Sequence, residues 1–274
     1  MTRPWPCLVD RKGDGDLRIR GYAPATPCWA ELMIPDPAAA IAFYSGLFGW
    51  EAHPTEVGST VFTLGGAAAA GVVAAPAADQ PAGWLTYIST EDINATVTAV
   101  SDAGGAVLRP PTAVGDRGQM AVCADPEGAV FAVWQRGTFR GAQVASEPNA
   151  VCWSDLATRD MAAAVTFYGK VFGWADQPGS LAGELEYFEW AVQNRVVAGM
   201  FALGEEVPAG VPAHWRTTFE VDDCGEIARR CVELGGQVAL APMGVGAGTY
   251  AQLLDPAGAA FGVIELIPQL RVTR

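Results

Sequence analysis

The segment Cys28–Trp50, CWAELMIPDPAAAIAFYSGLFGW, returns 124 residues later as Cys152–Trp174, CWSDLATRDMAAAVTFYGKVFGW, with 12 of 23 positions identical. A match of that density marks an internal duplication. Each copy changes its hydrophobic period midway. Trp29, Glu31 and Met33 alternate with Ala30, Leu32 and Ile34, the period of two that gives a strand two different faces. Asp36 then offers an N-cap, Pro37 suits the first helical position, and Ala40, Phe43, Tyr44, Leu47 and Phe48 recur at helical spacing before Gly49 supplies a C-terminal stop. The second copy repeats these steps with Trp153, Asp155, the cap Asp160, Phe167, Tyr168, Phe172 and Gly173.

Downstream of the first copy, strand-like pieces lie around 61–64 and 71–75, with His53 in a surface turn between helix and strand. A shorter unit opens at Trp84: the strand WLTYIST, a cap at Asp92, apolar positions Ile93, Val97 and Val100, a Gly104-Gly105 stop, then strands near Val107, 119–124 and 129–135. The same grammar runs from Trp215 through the cap Asp223, Ile227, Leu234 and Gly235-Gly236 to strands at 249–254 and 259–265, with Asp125-Pro126 and Asp255-Pro256 as matching hairpin turns. The chain therefore reads as four βαβββ modules in two pairs. This predicts an α+β protein with an N-terminal arm over 1–26, one domain over 27–140, a linker over 141–150 and a second domain over 151–274. Duplicated surfaces in one chain predict pseudo-twofold pairing of the halves.

Thirty acidic against 17 basic residues give a net charge of −13, which repels phosphate backbones and anionic lipid, so neither nucleic acid nor a membrane surface is an expected partner. The longest apolar stretch, near 67–75, is too short to span a bilayer, and no leader pattern opens the sequence, so the expected location is cytoplasmic. The six cysteines form no CxxC pair and are expected to be buried, reduced thiols.

Paired βαβββ modules, strand–helix segments ending AFY…LFGW and TFY…VFGW, a VDD before the helix of the last module and DPxG before the last strands together resemble the vicinal oxygen chelate superfamily. That group holds glyoxalase I, bleomycin- and fosfomycin-resistance proteins and extradiol dioxygenases, and the chain is similar in particular to its tandem-domain actinobacterial members. The resemblance, over about residues 27–267, implies two glyoxalase-like domains, each of two modules forming an open curved barrel, and a small organic molecule as partner. It also implies where metal-using members would place ligands. Those positions hold Trp29, Leu85 and Ala132 in the first domain and Trp153, Arg216 and Gly262 in the second. A divalent cation needs imidazole, carboxylate or thiolate donors, so no metal site is expected.

With neither GxSxG, P-loop nor a GxGxxG after a strand, the usual anchors of acyl, phosphoryl and Rossmann-type hydride transfer are missing, and no cofactor is expected. By period two, Glu31 and Asp155 point where the lost ligands would have pointed, as pocket acids able to act as general bases or as strand-edge acids with a structural role. Trp29 and Trp153 share their face, either stacking a ligand or packing a core. Trp84 and Trp215 lie on the other face, against helices. Tyr87, Trp134, Tyr250 and Gln252 are further ligand-binding candidates, with His214 at the pocket lip and Arg216 either in the pocket or paired with Asp155 or Glu220. Three functions compete: a metal-independent protein of the glyoxalase/bleomycin-resistance type binding an organic metabolite or antibiotic in an aromatic-lined cleft; a secondary-metabolism isomerase, cyclase or hydroxylase using a pocket carboxylate as base; and a metal-dependent glyoxalase or dioxygenase.

Overall fold

The computed structural model describes residues 7–11, 17–75, 77, 80–179, 187–205, 207–208 and 210–271. Two eight-stranded sheets carry the molecule. The first runs β4 (Glu51–Pro54), β5 (Thr60–Leu64), β6 (Ala67–Ala74), β3 (Pro27–Ile34), β7 (Gly83–Thr90), β10 (Val130–Arg136), β9 (Gly118–Ala124), β8 (Ala106–Ala113). The second runs in the same order: β12 (Ala175–Pro178), β13 (Tyr187–Val192), β14 (Arg195–Ala202), β11 (Val151–Thr158), β15 (His214–Glu220), β18 (Ala260–Leu266), β17 (Gly248–Leu254), β16 (Gln237–Val245). In each sheet the first strands of two modules, β3 with β7 and β11 with β15, pair antiparallel at the centre. Neither sheet closes into a barrel.

The helices are α1 (Pro37–Phe48), α2 (Ile93–Asp102), α3 (Met161–Phe172) and α4 (Cys224–Glu233). Their ends follow from single residues. The Asp36 side chain accepts from the amides of Ala38 and Ala39, and Asp160 accepts from Ala163, satisfying donors that a helix start leaves free. Gly49 and Gly173 then end α1 and α3 in the left-handed region, where a Cβ would be strained.

The helix sides of the two sheets share their cores. Phe48 of α1 meets Phe219 of the second sheet at 5.1 Å between ring centroids, and Tyr44 meets Phe261 at 5.6 Å. Reciprocally, Tyr168 of α3 meets Phe131 of the first sheet at 5.9 Å. Burying each such ring stabilises the fold by about 1.5–3 kcal/mol. Two polar ties cross with them. The Tyr44 hydroxyl donates to Asp255 Oδ2 at 3.2 Å and accepts from Trp84 Nε1, while the Tyr168 hydroxyl donates to Asp125 Oδ2 at 3.1 Å and accepts from Trp215 Nε1. Trp84 and Trp215 thus pack on the helix side, as the alternation predicts.

Two expectations need correction. Within 1–26, read as an arm, β1 (Cys7–Arg11) and β2 (Leu17–Tyr22) form an antiparallel hairpin, and Ile19 and Tyr22 are buried against the first core; residues 1–6 and 12–16 lie outside the described ones. His53 sits not in a turn but in β4, opposite Val61 and exposed, its Nε2 within 3.0 Å of Thr63 Oγ1. The 141–150 stretch, read as the connection between the domains, is packed along the first sheet. Ala142 donates to the Cys28 carbonyl, Gln143 to that of Ala68, and Ala142, Val144 and Ala150 are buried, because carbonyls near the starts of β3 and β6 take up its amides. Cys28, Cys123, Cys152, Cys224 and Cys231 are free and buried. No helix among the described residues is long and apolar enough to cross a membrane.

The ties give a direct stability test. Tyr44→Phe strands both Asp255 Oδ2 and Trp84 Nε1 in the core, and each buried group left without its partner costs about 1–3 kcal/mol. Urea unfolding should show a loss in that range or above, and Tyr168→Phe should match it.

Candidate functional site

On the helix-free face of the second sheet, neighbouring strands bring a set of polar and aromatic side chains together. Asp155 stands opposite Arg216 on one side and Gly199 on the other; Trp153 stands opposite Thr218, and Tyr187 opposite Phe201. Residues opposite one another in a ladder share a face. Arg216 Nη2 donates to Asp155 Oδ2 at 3.2 Å, the Tyr187 hydroxyl donates to Asp155 Oδ1 at 2.9 Å, and Trp153 Nε1 is shared between that oxygen and the Tyr187 hydroxyl at 2.9 and 2.8 Å. Both carboxylate oxygens are engaged. Gly199 makes the room, since a Cβ there would collide with the Tyr187 hydroxyl and Asp155 Oδ1.

The Arg216 guanidinium lies 4.5 Å from the Phe201 ring centre and 4.9 Å from that of Tyr250. Burial works against its charge, and the fields of Tyr250 and Asp155 outweigh burial, so the arginine stays protonated. Arg216 Nε, Thr218 Oγ1 and Tyr250 Oη are buried without a hydrogen-bond partner among the described residues. The latter two approach a Cβ position on Gly262 to 2.6 and 2.9 Å. Buried polar atoms are nearly always paired, so three orphans grouped on one face form a ready set of donors for oxygens of a bound molecule.

The first sheet answers differently. Trp29 stands opposite Tyr87, Glu31 opposite Leu85 and Gly71, and Trp134 opposite Met120. The Tyr87 hydroxyl donates to Glu31 Oε2 at 2.6 Å. Burial raises the Glu31 carboxyl above its usual range, opposed by that bond and by Arg117 and Arg109. Trp134 Nε1 donates to the Phe139 carbonyl at 3.1 Å.

Of the residues singled out in the sequence, Trp153, Asp155, Arg216 and Tyr250 come together in one group, and Trp29, Glu31, Tyr87 and Trp134 in the other. Gln252 shares the second face, opposite Gly262. His214 lies opposite Ala157 at the start of β15 and donates from Nδ1 to the Pro212 carbonyl, outside the Asp155 network. Sequence reasoning missed Tyr187, Phe201 and Thr218. The repeated Gly71 and Gly199, each under an acid and an indole or phenol, were the available signal.

Residues 28–133 match the Glyoxalase/Bleomycin resistance protein/Dioxygenase superfamily, and residues 151–264 match the Glyoxalase-like domain. The chain belongs to the glyoxalase/bleomycin resistance protein/dioxygenase superfamily. It is 40% identical over 263 residues to the anthracycline biosynthesis protein DnrV of Streptomyces peucetius, covering 89% of this chain and 94% of that one. It is 34% identical over 257 residues to CFP32 of Mycobacterium tuberculosis, covering 90% of this chain and 97% of that one. The Mn(II)-bound glyoxalase of Novosphingobium aromaticivorans shares the fold, with a TM-score of 0.60 at 17% identity over 89% of this chain and 84% of that one.

A divalent metal of the kind superfamily members hold does not fit the residues present. Trp29, Leu85 and Ala132, like Trp153, Arg216 and Gly262, supply no cation donors, and Arg216 brings a positive charge to the place. Among the described residues no three His, Cys, Asp or Glu side chains gather to hold a metal ion.

Glu220, farther along the Arg216 face of β15, is 1% exposed and its Oε2 has no partner among the described residues. Burial pushes its carboxyl up from 4.5 to about 7, with Arg271 pulling down and Asp222 and Glu147 pushing up. The folded state therefore holds a proton that the unfolded state releases. The resulting stability is complete below pH 4.5 and is lost as pH rises through about 7. Glu220→Gln should accordingly raise the urea midpoint at pH 8, with the gain shrinking toward pH 5.

Proposed function

We propose that the chain binds an oxygenated, flat aromatic metabolite of the anthracycline kind in an aromatic-lined cleft on the second domain, without a metal. The observation that supports this most directly is the buried Arg216, held by Asp155 beside the Phe201 and Tyr250 rings, with its Nε and the Tyr250 and Thr218 hydroxyls unpaired among the described residues. A planar guanidinium with free donors suits phenolate, carboxylate or quinone oxygens, and the rings beside it suit a flat polycycle. The name of the 40%-identical relative supplies the compound class. In this reading the domains span 27–140 and 151–274 and pair about a pseudo-twofold axis, and Trp153, Tyr250 and Gln252 line the cleft, with His214 at its lip.

Binding is favoured over turnover because both oxygens of Asp155 already accept hydrogen bonds, which leaves a poor general base. Glu31, with its carboxyl raised by burial, is the better base and carries the catalytic alternative. Turnover of the bound compound that Glu31→Gln abolishes would favour that alternative.

Titration with an anthracycline by calorimetry should give saturable binding that EDTA leaves unchanged. Arg216→Leu should weaken it by about 1.5–3 kcal/mol, the worth of a hydrogen bond from a charged group. Unchanged affinity in a folded variant would remove Arg216 from the site, and absence of binding by the native chain would overturn the reading.

A further inference from the structure

The first sheet poses a question that its own residues answer. Trp29, Tyr87 and Trp134 are only 5%, 3% and 6% exposed, although they lie on the face that no helix covers. Part of the cover comes from the chain just past β10. There Gly137 and Phe139 donate their amides to the Arg117 carbonyl at 2.8 and 3.1 Å, and Thr138 donates to Asp116, fastening this turn to the β8–β9 hairpin. The Phe139 ring stands edge-on to Trp29, 4.9 Å between centroids at 83°, and to Trp134 at 6.0 Å and 78°. The Arg117 guanidinium lies 4.3 Å from its centre.

That is the environment an aromatic ligand would meet: two indole neighbours, a cation on the ring face, and an indole N–H committed to the adjacent carbonyl. Among the described residues the second domain has no such ring. Counting from the paired turns Asp125 and Asp255, the place of Phe139 falls to Gln269, which is exposed, and the next residue, the partly buried Leu270, packs against a cluster that includes Cys152, Tyr250 and Leu266. There the arginine stacks on rings of the sheet itself.

We propose that Phe139 is an intramolecular ligand of the first cleft, occupying the position of an aromatic ring, so that of the two duplicated clefts only the second, which has no such ring among the described residues, takes a small molecule. The occupancy of the first cleft stands on its own geometry, while the count of one open site rests on the binding function proposed above.

The test separates the two. Phe139→Ala removes a ring the size of toluene, and a ligand that binds only the folded state raises its melting temperature. Toluene should therefore raise the melting temperature of Phe139→Ala and leave that of the native chain in place, with Phe139→Leu, which retains apolar bulk, showing a smaller rise and serving where the alanine variant folds poorly. Calorimetric titration with an anthracycline should give one site in the native chain and two in Phe139→Ala. A toluene shift equal in variants and native chain, or absent from the variants, would overturn the occupancy of the first cleft whatever the anthracycline does. A toluene shift confined to the variants, with anthracycline bound by neither protein, would sustain the intramolecular ligand and overturn the binding function. Selective toluene rescue with one anthracycline site in both proteins would keep Phe139 in place but overturn its role in closing a second site.

Discussion

The structure depends on a buried carboxylate in each half being completed by the other half. Asp125 and Asp255 use one oxygen to fix their own hairpin turns, accepting from the amides of Glu127 and Ala129 and of Ala257 and Ala259. The second oxygen takes a tyrosine hydroxyl from the opposite half. Burial raises both carboxyls, so an isolated half would carry a turn aspartate without its partner and a helix face of aromatic rings without a cover. The tie obliges the helix sides of the sheets to face each other. The helix-free faces are thereby left as the places where a molecule can be met.

Much of this was written locally. A strand that alternates, an aspartate cap and a glycine stop are short-range signals, and the duplication doubled each of them, so the modules followed from spacing, as did the shared face of Glu31 with Trp29 and of Asp155 with Trp153. The Arg216–Asp155 contact was readable as one of two pairings because both lie on first strands of modules. What stayed hidden needed long-range register. Tyr187 reaches Asp155 only because β14 lies parallel to β11 with Gly199 opposite the acid, and no local pattern states that alignment. Phe139 and Arg117 lie outside the repeated grammar, on a turn and a loop, where composition says little about direction. The hairpin near the N-terminus was obscured by its polar, glycine-containing connection, which resembles a loop whether or not strands flank it.

Duplication gave both halves the same scaffold, and a few substitutions made their faces unlike. In the first, Leu85 stands where Arg216 stands in the second, and Glu31 takes its hydrogen bond from Tyr87 while Arg117 and Arg109 act on its charge through space. The cation arrives instead from a loop, as Arg117 over Phe139. In the second, the arginine is built into β15 and its counter-ion is the acid itself. A charge of −13 makes this placement consequential. In a chain that repels anions at long range, a buried arginine fixed by one aspartate and stacked on two rings is a local exception, and it can select an electron-rich aromatic at short range without drawing in anions indiscriminately. The same ion pair limits chemistry. An aspartate that must hold Arg216, Trp153 and Tyr187 in position accepts three hydrogen bonds on its two oxygens, which under the proposed binding function makes it an anchor for the arginine rather than a base.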